Sequence, residues 1–149
     1  MLSFMRWLEA ITPQDIQQTR GTFLPDSSIE YASIDGKTKG GTSDRVQMEL
    51  KPGAHKLLVH THPHKGEATP INTLPSTQDL ESTVQAFGLG YPGMAIFSGP
   101  FFLILKPSKS DIKPAGWDSF AKKAQLDGDM KPALERLKAL GFEILQGKK

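Results

Sequence analysis

The pattern of apolar and polar positions along the chain predicts several short strands. Residues 57–60, Leu-Leu-Val-His, are apolar on both faces before the histidine, which is typical of a central strand of a sheet. Residues 94–98 and 101–106 are apolar runs on either side of a Gly-Pro pair, and their spacing predicts a hairpin. Residues 45–50 alternate polar and apolar side chains, which favours a half-buried strand. Residues 29–34 and 142–145 are two further predicted strands.

Helical spacing of apolar residues predicts several helices around these strands. Residues 76–87 place Leu80, Val84 and Phe87 on one face. Residues 131–140 repeat leucine at the same spacing and end before a glycine. Further helices are predicted at residues 117–126 and within residues 2–20, and a long proline-containing loop at residues 63–75. This order of elements predicts an α/β fold, a mixed β-sheet flanked by helices.

Composition predicts one ordinary globular domain that comprises residues 1–149. A chain of 149 residues can bury a core without disulfides or structural metals. Its hydrophobic content of 38% and charged content of 23% are common in soluble proteins. The net charge of +2, from 18 basic and 16 acidic residues, gives no reason to expect nucleic acid or a membrane as a partner.

Two absences narrow the possible chemistry and location. The chain has no cysteine, so a thiolate nucleophile and a cysteine-based zinc site are excluded, and any metal needs histidine and carboxylate ligands. The longest apolar run, residues 101–105, is far shorter than the roughly 20 residues that span a bilayer. Residues 1–8 lack the basic start and cleavage site of a signal peptide, so we expect a cytoplasmic protein.

The strongest chemical signal is a pair of histidines at alternate positions, in His60-Thr61-His62-Pro63. On an extended segment both imidazoles point to the same side, so they can reach one metal ion. Asp79 can supply a third ligand. Three protein ligands and an open position are typical of a catalytic zinc site, in which zinc lowers the pKa of bound water to about 7.

Ser76 and Asp79 have two compatible interpretations. They fit a helix capping box, with aspartate at the third helical position. They also lie on one face of the first helical turn, so Ser76 can support a developing oxyanion beside a metal held by Asp79. A hydrolase further needs a carboxylate that takes and relays a proton. Glu30 in the first predicted strand is our choice for that role, and Glu49 and Glu67 are alternatives.

The ordered combination resembles the JAMM motif of the JAB/MPN zinc metalloprotease family, and in particular its small prokaryotic members. That motif is a glutamate, then His-x-His-Pro, then Ser-x-x-Asp, and the resemblance covers about residues 28–106. It implies a cytidine-deaminase-like α/β fold. It also implies that His60, His62 and Asp79 bind Zn²⁺, that Glu30 is the catalytic acid/base, and that Ser76 stabilises the tetrahedral intermediate.

The resemblance implies a peptidase or isopeptidase that hydrolyses an amide bond in a protein or peptide, such as a ubiquitin-like conjugate. The alternatives are a catalytically inactive MPN-type scaffold or interaction module and a JAB-like toxin or effector domain. The segment at residues 64–75 is longer than in the family, and it could shape or cover the substrate cleft.

Three other polar residues are given simpler interpretations. His64 follows Pro63 and would have to turn back to reach the metal, so we expect it to be exposed or to support the ligands. His55 precedes the central strand and is expected at the surface. Ser98 lacks the flanking glycines of a hydrolase nucleophile elbow, so a turn position is favoured.

Overall fold

A computed structural model describes residues 49–53, 57–64 and 67–148 with their side chains, and residues 31–34 and 37–40 through their backbone. Within these residues the chain has a mixed α/β architecture. The strands are β1 (Tyr31–Ile34), β2 (Lys37–Gly40), β3 (Leu58–Thr61), β4 (Met94–Ser98), β5 (Phe101–Pro107) and β6 (Phe142–Lys148). The helices are a 3-10 helix (Pro70–Thr73), α1 (Thr77–Gly88), α2 (Trp117–Asp127) and α3 (Lys131–Leu140).

The strands form one mixed sheet in the order β2-β1-β3-β4-β5-β6. Strands β3 and β4 are parallel, and the other neighbouring pairs are antiparallel. Parallel neighbours need a long crossover connection, which here contains the 3-10 helix and α1. This connection brings the start of α1 back to the carboxyl end of β3, where the histidine motif lies.

The two faces of the sheet pack differently. All three α-helices contribute buried side chains to the larger apolar cluster, which includes Leu58, Leu80, Trp117 and Leu137. A smaller cluster forms on alternate strand positions and is built from Leu57, Ala95, Phe97 and Ile104. Burying a leucine fully is worth about 1.5–3 kcal/mol, so the helix side supplies the main stabilisation among the described residues.

The predicted central strand, the hairpin and the three helices after residue 75 are confirmed. Strand β3 lies between β1 and β4, the antiparallel pair β4–β5 encloses Gly99 and Pro100, and α3 spans residues 131–140 as expected. The final strand extends to Lys148 rather than ending at residue 145. In α1 the fully buried positions are Leu80, Thr83 and Ala86, whereas Val84 and Phe87 are half-buried.

The prediction of a strand over residues 45–50 is wrong where the structure describes it. Glu49 and Leu50 are not in a strand. The chain here lies beside the C-terminal end of α1, where the Gly53 N–H donates a hydrogen bond to the Leu89 carbonyl at 3.0 Å. The unpredicted strand β2, rich in lysine and glycine, instead pairs with β1. The predicted helix within residues 2–20, and Glu30, lie outside the described residues.

Candidate metal centre

Strand β3 delivers both histidines to the helix side of the sheet. Leu58 belongs to the larger apolar cluster, and Val59 packs against the smaller one on the opposite face. His60 lies two residues after Leu58 and therefore shares its face, with a side chain that is only 6% exposed. His62 lies one residue beyond β3, but its N–H still donates to the Phe97 carbonyl at 2.8 Å, so the extended course continues.

Helix α1 delivers Asp79 to the same place through its capping box. The Ser76 hydroxyl oxygen accepts a hydrogen bond from the Asp79 N–H at 3.0 Å, and Asp79 Oδ2 accepts one from the Ser76 N–H at 2.9 Å. Reciprocal capping of this kind satisfies two backbone donors at the helix start. The capping interpretation of these two residues is therefore confirmed, and it fixes the Asp79 carboxylate over the first turn of α1.

The same carboxylate meets both imidazoles. Asp79 Oδ2 lies 3.0 Å from His62 Nε2, and Asp79 Oδ1 lies 3.4 Å from His60 Nε2. The two Nε2 atoms are 2.9 Å apart. One ligand atom from each residue thus lies within 4.8 Å of the others, the arrangement needed to hold a metal ion. The structure brings together the three residues predicted as metal ligands.

The hydrogen bonds of His62 require either a proton or a metal ion between His62 Nε2 and the Asp79 carboxylate. His62 Nδ1 lies 2.8 Å from the Asn72 carbonyl oxygen, which can only accept, so Nδ1 carries a hydrogen. Neutral His62 then has a lone pair at Nε2, and that lone pair faces a carboxylate oxygen at 3.0 Å. Two acceptors at this distance repel each other. Either a proton on His62 Nε2 or a metal ion resolves the contact.

The ligand set and spacing suit a small divalent metal. A tetrahedral zinc ion with bonds of about 2.0–2.1 Å holds its ligand atoms about 3.3–3.4 Å apart. Here the two Nε2 atoms are 2.9 Å apart, and the Asp79 carboxylate lies 3.0 Å from His62 Nε2 through Oδ2 and 3.4 Å from His60 Nε2 through Oδ1. These contacts are close to the separations that such an ion needs. Two imidazoles and one carboxylate also suit iron(II).

The electrostatics of the site keep Asp79 ionised. Burial of the side chain raises the pKa of the Asp79 carboxyl, but the positive charge and hydrogen bonding of His60 and then of His62 outweigh this effect. The net result is a pKa well below the usual range for aspartate. An ionised carboxylate is the form that binds a metal cation.

The long loop before α1 carries a hydrogen-bonded turn. Asn72 lies in the 3-10 helix, and its side-chain Oδ1 accepts hydrogen bonds from the Thr69 N–H at 2.8 Å and the Thr69 hydroxyl at 3.2 Å. The buried Thr73 hydroxyl donates to the Pro70 carbonyl at 2.6 Å. The backbone carbonyl of Asn72 is therefore held firmly where it accepts from His62. Sequence reasoning missed this contact, because a backbone carbonyl leaves no signal in residue identities.

The remaining predicted residues have different outcomes. Ser76 is exposed beside the trio formed by His60, His62 and Asp79, whereas Glu30 lies outside the described residues. The alternatives Glu49 and Glu67 are both exposed. His64 is half-buried, and His55 lies outside the described residues. Ser98 is the buried last residue of β4 rather than a turn residue, and its hydroxyl donates to the His62 carbonyl at 2.9 Å.

Comparison with known proteins adds no family assignment. No protein-family model, no curated protein and no solved structure matches this chain. Among the described residues, none of the helices has the length and apolar character needed to cross a bilayer. The chemical interpretation therefore depends on the motif and on the geometry of the trio.

Proposed function

We propose that this protein is a zinc-dependent peptidase or isopeptidase of the JAB/MPN type. The observation that carries the proposal is the convergence of His60, His62 and Asp79 at the start of α1. These residues occur in the order and context of the JAMM motif, His-x-His-Pro followed by Ser-x-x-Asp. A trio built only for stability would not require this order of residues.

The three ligands and Ser76 have separable roles in this proposal. Bound zinc would act as a Lewis acid toward an amide carbonyl and lower the pKa of a water molecule. Ser76 Oγ accepts the Asp79 N–H through a lone pair, so its own hydroxyl hydrogen remains available to a substrate oxygen. Such a donor, preorganised by the capping box and exposed to solvent, stabilises charge that develops on the oxygen.

Glu30 is the proposed acid/base. It directly precedes Tyr31, the first residue of β1, and Ala32 of β1 pairs with His60 of β3. A carboxylate near the histidines would be able to take a proton from water and pass it to the leaving amine. Glu49 and Glu67 remain the alternatives for this role.

The proposed substrate is an amide bond in a protein or peptide, such as the isopeptide bond of a ubiquitin-like conjugate. The main alternative is an inactive MPN-type scaffold or interaction module. The complete ligand set favours an enzyme, because a scaffold has no need for two histidines and an aspartate that share one point. A JAB-like toxin or effector domain would use the same chemistry on a different substrate.

The proposal is tested first by metal content and then by Glu30→Gln. Purified protein incubated with zinc and desalted should hold stoichiometric zinc by elemental analysis, more than it holds of iron. Glu30→Gln should keep the metal but lower turnover of a fluorogenic peptide and isopeptide panel by about 10²–10⁴-fold, since it removes the proton carrier. Glu49→Gln and Glu67→Gln are matched controls that should retain activity.

Two outcomes would overturn the proposal. Failure of the wild-type protein to retain any divalent metal would remove its basis. Full metal occupancy with no cleavage of any substrate in the panel would favour the scaffold. Toxicity on expression that Glu30→Gln abolishes would instead indicate the effector domain.

A further inference from the structure

His62 lies beyond the last residue of β3 and is held there by groups from two other segments. Its N–H donates to the Phe97 carbonyl at 2.8 Å, and its carbonyl accepts the Ser98 hydroxyl at 2.9 Å. Its ring donates from Nδ1 to the Asn72 carbonyl at 2.8 Å. Backbone and ring are therefore fixed independently, the backbone by the end of β4 and the ring by the 3-10 helix.

Ser98 is an unusual residue for its position. The other four residues of β4 are apolar and buried, and Ser98 itself is only 2% exposed. A hydroxyl buried in this way is unfavourable unless it is hydrogen-bonded. Its bond to the His62 carbonyl extends the link between β3 and β4 by one residue past Thr61, the last residue of β3.

The 3-10 helix is anchored on both sides of Asn72. Before it, Thr69 donates to the Asn72 side chain from its backbone and from its hydroxyl. After it, Leu74 and Pro75 are buried, and the Pro75 carbonyl accepts the Trp117 Nε1–H at 2.8 Å. The Asn72 carbonyl is thus part of a packed segment that reaches from the histidine motif to α2.

We propose that Ser98 and the Asn72 carbonyl are positioning groups for metal binding. Together they present His62 Nε2, rather than Nδ1, to the point shared with His60 and Asp79. The inference rests on the proposed metal site. It assigns a role to the 64–75 loop, which supports a metal ligand in addition to any contact with substrate. Partners that orient a metal-bound histidine typically change metal affinity 10–100-fold when they are lost.

Ser98→Ala tests this proposal directly. It removes the donor to His62 while leaving all three ligands intact. We expect zinc affinity, measured by competition with a chromophoric chelator, to fall about 10–100-fold. The visible absorption of the cobalt(II)-loaded protein should also change, because it reports ligand geometry. Ser98→Thr keeps a hydroxyl at the same position and should restore affinity to within a few-fold of wild type.

Two control variants separate positioning from general stability. Ser108→Ala removes another serine hydroxyl that donates to a backbone carbonyl, that of Gly141, far along the chain from the trio. Ile104→Val shortens a buried side chain in the smaller cluster, on the other face of the sheet. Both should bind zinc as the wild type does, and Ile104→Val should do so even though its melting temperature falls.

Asn72→Ala is a second test of the proposal. Unlike Ser98, Asn72 is only half-buried. It removes the acceptor of both Thr69 hydrogen bonds and so loosens the carbonyl that holds the His62 ring. Several-fold weaker zinc binding is expected. Wild-type affinity in both Ser98→Ala and Asn72→Ala would overturn the inference while leaving the metal site intact. Absence of metal binding by the wild type would overturn the proposed function and this inference together.

Discussion

Asp79 combines an observed structural role with the proposed role of a metal ligand. Its Oδ2 accepts the Ser76 N–H at 2.9 Å and also lies 3.0 Å from His62 Nε2. The capping box sets the direction of the carboxylate before any metal binds. The cap and the ligand are therefore not competing interpretations of this residue, because the cap is what orients the ligand.

Two substitutions at Asp79 should separate these roles. Asp79→Asn keeps a side-chain oxygen for the Ser76 N–H but loses the charge, whereas Asp79→Ala loses both. We expect zinc affinity to collapse in both variants. In metal-free protein, Asp79→Ala should be less stable than Asp79→Asn by about 1 kcal/mol, the usual net value of the one hydrogen bond that it loses. Urea unfolding after chelation measures the difference, and equal stability of the two variants would contradict the capping role.

At the scale of elements, the loop before α1 touches the β4–β5 turn at one tight point. Gly99 has a φ of 55°, and a Cβ placed on it would come within 2.6 Å of the Ala68 Cβ. The turn that ends β4 next to Ser98 is therefore packed against the loop that carries Asn72. This contact links the two segments that hold His62.

Gly99→Ala should consequently destabilise the protein by more than backbone strain alone. A left-handed conformation costs a non-glycine residue roughly 1–2 kcal/mol, and contact with Ala68 adds to that cost. Gly128→Ala is the matched control, since its φ is 68° and nothing lies within 4 Å of the added Cβ. Urea unfolding should show a larger decrease in the free energy of unfolding for Gly99→Ala than for Gly128→Ala. A smaller or equal decrease would indicate that the loop around Ala68 can shift at little energetic cost.

At the scale of the whole molecule, the site joins the sheet to its helical layer. The histidines belong to β3 and its end, and Asp79 belongs to α1, which packs over the sheet through Leu80. A metal ion that binds all three residues would bind the folded chain and not the unfolded one. Metal binding should therefore stabilise the fold as a whole.

Zinc should accordingly raise the melting temperature, and removing it should lower it. With free zinc at 100 times its dissociation constant, the free energy of unfolding should rise by about 2.7 kcal/mol. His60→Ala should lose the response to zinc. His64→Ala should keep it, because His64 is not one of the three residues that share the metal-binding point. Differential scanning calorimetry with and without chelator provides the comparison, and a zinc response in His60→Ala would exclude this trio as the site.

The sequence alone determined the strongly periodic elements and the ligand candidates. Apolar runs identified β3, β4 and β5, leucine spacing identified α3, and His-x-His predicted a pair of candidate metal ligands, because each signal depends on neighbouring residues. It could not identify β2, whose lysine and glycine residues have low strand preference and which forms by pairing with β1.

Only the tertiary structure decided how the site is held together. The meeting of Asp79 with His60 and His62 depends on a crossover that returns α1 to the end of β3. The tautomer of His62 depends on a backbone carbonyl at Asn72, and its backbone position depends on a serine at the end of β4. These contacts join residues that are distant in sequence, so no local pattern predicts them. Local patterns therefore predicted the candidate ligands, and long-range packing set their orientation.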